Sequence, residues 1–185
     1  MQLVLTLELR DVVRMQVDIS KHIWALYLPL IITNVLHMVL VKFDWLPALK
    51  IPLNKKLFGS NKTYRGFLFL STANALVYSL LNHVPGNLAD ELLIGFFLGL
   101  TYMCFELPNS YFKRKLGIAS GEKSPKYYLF FLILDKADSC FGVSLLYTLY
   151  YDLSPTFFLY LFVSATMVHF LISLLLVKVR IKESL

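Results

Sequence analysis

Asp135 and Asp138 stand three residues apart inside YYLFFLILDKADSCFGVSLLYTLYY, a run otherwise oily enough to cross a bilayer as a helix. That spacing puts both carboxylates on one helix face, where they can share a cation, while Lys136 points elsewhere. A charge at the bilayer centre costs about 2.5 to 3.5 kcal/mol on insertion scales, so such groups face a bundle interior, a partner or a water-filled site. The acidic pair reads as the metal-binding floor of a phosphate site. Mg²⁺ is the natural cation, because it takes few carboxylates and completes its octahedron with phosphate oxygens and water.

Two basic loops carry the rest of the candidate chemistry. The first runs from Pro52 to Gly66. Gly59 permits a turn with unusual dihedrals, and Lys62, Thr63 and Arg65 present two cations and a hydroxyl at the membrane surface. Backbone N–H groups at the start of the following helix, from Gly66 onward, add partial positive charge, and together these suit a polyphosphate. Gly59-x-x-Lys62-Thr63 superficially resembles a P-loop, but Asn61 precedes the lysine, Leu57 stands where the earlier glycine is required, and no strand leads in.

The second loop runs from Glu106 to Pro125. Pro108 is expected to open a short helix with Asn109 or Ser110 near its start, and Gly117 to close it, so that Lys113 and Arg114 share a single turn. Arginine offers a planar fork for phosphate oxygens and lysine a point charge. Lys115 reads as surface charge, and Glu106 as a group orienting a cation. Asp135 lies eight residues past Tyr127, about 12 Å deeper at helical rise, so the cations form a rim and the carboxylates a cavity wall. Such a site can take a soluble nucleotide from the water side and a lipid headgroup from the bilayer side.

The elements that must hold these groups follow from composition. With 57% hydrophobic residues among 185 and a mean hydropathy of +0.63, the chain is read as an all-α integral membrane protein, a single domain over 1–185. Five spans are expected, near Ile23–Val41, Gly66–Val84, Ala89–Leu107, Tyr127–Tyr151 and Thr156–Val177. Residues 1–20 are expected to form an interfacial helix, and the first span is not a cleavable signal, since Glu8, Asp11 and Asp18 precede it.

Most of the 18 basic residues fall in the segments after the first and third spans, among them Lys42, Lys50, Lys55, Lys56 and Lys123, and in the tail at Lys178, Arg180 and Lys182. The alternate loops hold none. This places the loops and the C-terminus in the cytoplasm and the N-terminus outside a cell (inner) membrane, and it accounts for most of the net charge of +6. No nucleic-acid partner is expected. Cys104 and Cys140 are read as packing residues, Pro29, Asn34 and His37 as interhelical, and His22, His83 and His169 as having no spacing partner.

Three blocks, Phe58-Gly59-x-x-Lys62-Thr63-x-Arg65-Gly66, Asn109-Ser110-x-x-Lys113-Arg114-Lys115-Leu116-Gly117-Ile118 with Gly121, and Asp135-x-x-Asp138, resemble the motifs of the CDP-archaeol synthase family. That family is an integral membrane group of cytidylyltransferases related to the CDP-diacylglycerol synthases, and the resemblance covers roughly residues 23 to 178. It implies transfer of a cytidylyl group from CTP to a membrane lipid phosphate, an archaetidic acid-like lipid or phosphatidic acid, with Mg²⁺ and release of pyrophosphate. Asp135 and Asp138 would then hold the metal. Lys62, Arg65, Lys113 and Arg114 would hold phosphates, with Thr63, Asn109 and Ser110 as hydrogen-bond donors beside Gly59, Gly66 and Gly117. No dedicated base is required, because a phosphate monoester is already ionised near neutral pH. The rival reading is a small transporter or channel for a phosphate-bearing anion, against which the lack of an internal repeat counts. An enzyme consuming CDP-activated lipids would carry a denser acidic run.

Overall fold

The computed structural model describes residues 2–122 and 124–181, with side chains from residue 19 onward. Among the described residues there are six α-helices and no strand: α1 (Gln2–Lys42), α2 (Lys55–Phe58), α3 (Tyr64–Leu81), α4 (Leu88–Lys115), α5 (Tyr128–Tyr150) and α6 (Pro155–Lys178), with a 3₁₀ turn at Pro47–Leu49. Three of them, over Ile19–Lys42, Leu88–Lys115 and Pro155–Lys178, are long and apolar enough to cross a membrane. The backbone of residues 2–18 continues α1 without a break. The interfacial placement expected for residues 1–20 rests on side chains outside the described residues, as do Lys123 and Lys182 of the basic segments.

One expectation is overturned. Pro108 does not open a separate short helix but lies inside α4, which runs on to Lys115. A mid-helix proline forfeits one backbone hydrogen bond, a cost of about 3 kcal/mol, and membrane helices tolerate it where neighbours hold the flanking turns. Here Asn109 and Lys113, on the next turn, are bonded to α5.

Local sequence sets the other ends. Thr63 caps α3 by accepting from Gly66 N, and Ser154 caps α6 ahead of Pro155. Gly117 closes α4, as its position suggests: at φ +73° it lets Ile118 N donate to Lys113 O (3.0 Å) and its own N to Arg114 O (3.0 Å), with Ile118 buried beneath.

The tightest packing joins α3 to α4. A Cβ on Gly99 would lie 2.6 Å from Leu70 O, and one on Gly95 2.9 Å from Ala75 Cα. These two glycines, four apart, let the backbones touch, and Asn74 Nδ2 donates to Gly95 O across the seam (2.7 Å). Small-xxx-small pairs are a common way to associate helices in lipid, where hydrophobicity gives no net attraction. Gly99→Val is expected to force the pair apart and cost about 1–3 kcal/mol, read as a lowered unfolding midpoint in detergent. Leu26, Leu70, Leu98, Tyr147 and Leu161 fill the core between the helices.

Successive helices run antiparallel, so the ends of α1, α4 and α6 meet the starts of α3 and α5. Lys42 Nζ donates to Arg180 O there at 3.0 Å. Both basic loops and both aspartates belong to this end of the bundle.

Candidate active site

The first loop is pinned at its base before it reaches the site. Pro52 and Thr63 form an isolated antiparallel bridge, with Leu53 N on Lys62 O (2.8 Å) and Tyr64 N on Ile51 O (2.9 Å). Between these strand-like arms, Asn54 caps the single turn of α2 and Gly59 ends it at φ +84°. Any side chain at Gly59 would collide with Ser120, whose Oγ lies 2.0 Å from the position a Cβ would take.

That contact joins the two loops. Ser60 N donates to Ser120 Oγ (3.0 Å), and Arg114 Nη1 donates to the same oxygen (2.9 Å). Lys62, projecting from the pinned base, forms an ion pair with Glu106 of α4, both side chains less than one-fifth exposed. The expectation that Glu106 orients a cation is thus met by Lys62. His37, read as interhelical, stands beside Gly66 of α3, and His169, which has no partner at helical spacing, meets Tyr102 of α4 at 3.2 Å; each arrives from a distant helix.

The carboxylates meet α4 from the other side. Lys113 Nζ bonds both oxygens of Asp135 (2.5 and 2.7 Å) and lies 5.2 Å from the centre of the Phe131 ring, one turn earlier on α5. Asn109 Nδ2 donates to Asp135 Oδ1 (2.6 Å) and to Asp138 Oδ2 (2.9 Å). One amide nitrogen therefore bridges the two carboxylates, which converge on a single point. Asn109 is buried, and its Oδ1, like Arg114 Nε, has no hydrogen-bond partner among the described residues. An orphaned acceptor on the residue that bridges two carboxylates, and an orphaned donor further along α4, leave polar capacity that a ligand can satisfy.

The remaining predicted residues are placed differently. Arg65 is buried, with Nη1 on Asp44 Oδ1 (2.7 Å) and on Trp45 O (2.8 Å), so this guanidinium nitrogen is committed to the chain leaving α1. Ser110 spends its one hydroxyl hydrogen on Glu106 O (2.9 Å). Thr63 accepts in its capping bond and keeps its hydrogen. Gly66 gives room to His37 and Met103, either of which would lie 3.1 Å from a Cβ there.

The Arg65 contact carries a pH dependence. Arg65 and Lys50, both bonded to Asp44, hold its carboxyl below the ordinary carboxylate range. A depressed carboxyl stabilises the fold above its unfolded pKa, and that contribution is lost as pH falls through the lower, folded value. Asp44→Asn is therefore expected to lower the unfolding midpoint at neutral pH, and the gap from the native chain to close as pH falls through the carboxylate range. Thermal unfolding in detergent along a pH series measures it.

Residues 18–185 match the family described as CarS-like, CDP-archaeol synthase. The chain is also 32% identical over 109 residues to the CDP-archaeol synthase of Methanopyrus kandleri, an alignment covering 57% of this chain and 57% of that protein. It thus spans little more than half the length of that curated relative. No solved structure matches.

Proposed function

The chain belongs to the CDP-archaeol synthase family, and on that premise we propose that it transfers a cytidylyl group from CTP to a membrane lipid phosphate, giving a CDP-lipid and pyrophosphate. The observation that carries this reading is the convergence of Asp135 and Asp138 on Asn109, with Lys113 bidentate on Asp135 and Lys62 and Arg114 along the same rim. The protein is a multi-pass membrane protein by its apolar helices. We take α3 and α5 to cross as well: α3, of 18 residues, reaches about 27 Å. The basic loops and C-terminus then face the cytoplasm.

In the transfer, an oxygen of the lipid phosphate attacks the α-phosphorus of CTP, a new P–O bond forms, and the bond to the β-phosphate breaks as pyrophosphate leaves. Such chemistry depends on positioning and on neutralising charge that develops on the leaving group. Lys62, Lys113 and Arg114 supply cations for the two sets of phosphates. Arg65 acts from behind, tying the base of the first loop to Asp44 so that Lys62 is held in place. Mg²⁺ suits the donor set, since Asp135 and Asp138 bring two hard carboxylates to one point and Asn109 has an unpaired amide oxygen. Bound there, the ion would neutralise phosphate charge.

Purified protein with Mg²⁺, labelled CTP and a panel including phosphatidic acid and an unsaturated archaetidic acid is expected to yield a CDP-lipid and pyrophosphate. No CDP-lipid from any member of the panel overturns the reading.

A further inference from the structure

His169 is an ionisable side chain inside the apolar run of α6, nine residues before Lys178 and so about 14 Å from that end of the helix. Asp135 lies at a similar depth on α5, about 12 Å past Tyr127. Such a group in a membrane helix calls for named partners, and His169 has them on two other helices. Its Nε2 is 3.2 Å from Tyr102 OH on α4, and its Nδ1 is 3.2 Å from Lys136 O and 3.7 Å from Cys140 Sγ on α5.

Both sets of contacts lead to the site. Lys136 stands between Asp135 and Asp138, so the carbonyl that His169 reaches belongs to the turn carrying both carboxylates. Tyr102, Glu106, Asn109 and Lys113 follow one another on α4 at intervals of four, three and four, which puts them on a single face. From that face Asn109 and Lys113 bond the carboxylates, and Glu106 pairs with Lys62. The imidazole therefore ties the acidic turn to the face it meets, at a point deeper in the bundle than the direct bonds.

A carbonyl only accepts, so Nδ1 carries the proton, and in the neutral ring Nε2 accepts from the tyrosine. The Lys136 oxygen has a second lone pair for its own helix bond, so this contact constrains α5 without breaking it. Tyr102 and Lys136 are buried, and the bonds form away from bulk water. One ring thus donates to α5 and accepts from α4, which a hydrocarbon side chain cannot do.

We propose that His169 is a positioning residue for the transfer: it sets the Asp135–Asp138 turn of α5 at the distance and rotation from α4 at which the two carboxylates converge on Asn109. It acts through Tyr102 and the Lys136 carbonyl and touches no phosphate. The proposal rests on the cytidylyltransferase reading and gives α6, which supplies none of the side chains assigned to phosphates or metal, a part in the chemistry. A shift of about 1 Å in such a turn is enough to cost about 10²-fold in rate.

The test uses the full-length protein in lipid nanodiscs, with CTP, a lipid phosphate and a series of Mg²⁺ concentrations. His169→Leu removes both bonds and is expected to lower kcat about 10–100-fold and to raise the half-saturating Mg²⁺ concentration about fivefold or more. KM for CTP is expected to stay within about threefold of native, because Lys62 and Arg114 remain. The Mg²⁺ shift is also read without turnover, as the concentration that half-saturates the rise in unfolding midpoint with CTP and no lipid phosphate. His169→Gln, whose amide offers both an N–H and an accepting oxygen, is expected to restore kcat and Mg²⁺ dependence to within about threefold of native. Because His169→Leu can fail to fold, Tyr102→Phe removes a single hydroxyl; its kcat is expected to fall about three- to tenfold, with the Mg²⁺ dependence moved the same way. Equal rates in the Leu and Gln variants, or a native Mg²⁺ dependence in Tyr102→Phe, overturns the proposal. A shifted Mg²⁺ response of the unfolding midpoint, where the native chain turns over no lipid phosphate, supports the positioning of the carboxylates and overturns the enzyme reading instead.

Discussion

Asp138→Asn abolishes cytidylyl transfer, with an expected fall in kcat of about a thousandfold or more, while the unfolding midpoint stays close to that of the native chain. The substitution keeps the shape of the side chain and one of its two acceptors: the amide oxygen can keep the bond from Asn109 Nδ2 (2.9 Å), which reaches α4, while the bond from Ser139 N to the other oxygen (2.6 Å) is given up. What it removes is the negative charge. If Asp138 only braced α4 against α5, an isosteric amide would preserve most of that bracing and turnover with it. Initial rates with labelled CTP, set beside thermal unfolding of the same preparation, separate the two roles. Turnover within tenfold of the native enzyme would remove Asp138 from the site.

Lys113→Met is expected to lower kcat/KM by about 10²–10³-fold and also to lower stability, and its partner substitution sharpens the meaning of both effects. In the resting structure Lys113 neutralises Asp135 through two bonds. Removing the cation leaves a carboxylate, 37% exposed, without its counter-charge. Asp135→Asn in the same chain relieves that imbalance, so the double variant is expected to recover much of the lost stability. It recovers no activity, because both groups act on the same phosphates and their losses do not add. A double-mutant cycle read by unfolding midpoint and by kcat/KM checks this. Recovery of activity together with stability would make the pair a structural strut. Lys113→Arg is no conservative control: the planar guanidinium cannot present a point charge over the Phe131 ring in the same way.

The acidic pair and the two cationic loops were legible because their residue types are costly in a membrane and their spacing follows helical geometry. Asp135, Asp138, Lys113 and Asn109 do come together. The course of α4 was not legible, because Pro108 breaks a helix by its own chemistry and only the bonds from Asn109 and Lys113 to another helix override it. Arg65 shows the same limit from the other direction. Its charge and position suit a phosphate, but Asp44 and the Trp45 carbonyl, held where Asp44 and Leu46 adopt φ near +50°, claim it. The seam of Gly95 and Gly99 emerged only from the structure, although two small residues four apart in an apolar run are its local signal. His169 carried no local signal, since the tyrosine and the carbonyl it meets belong to helices far apart along the chain.

Ser120 is a lone hydroxyl to which Ser60 and Arg114 both hold, one from each basic loop. Ser120 belongs to the second loop, so Arg114 steadies its hydroxyl from within that loop and the bond from Ser60 is the one that crosses from the first. On the proposed reaction, pyrophosphate leaving between the two lips must disturb that bond or the Lys62–Glu106 ion pair, another tie between them.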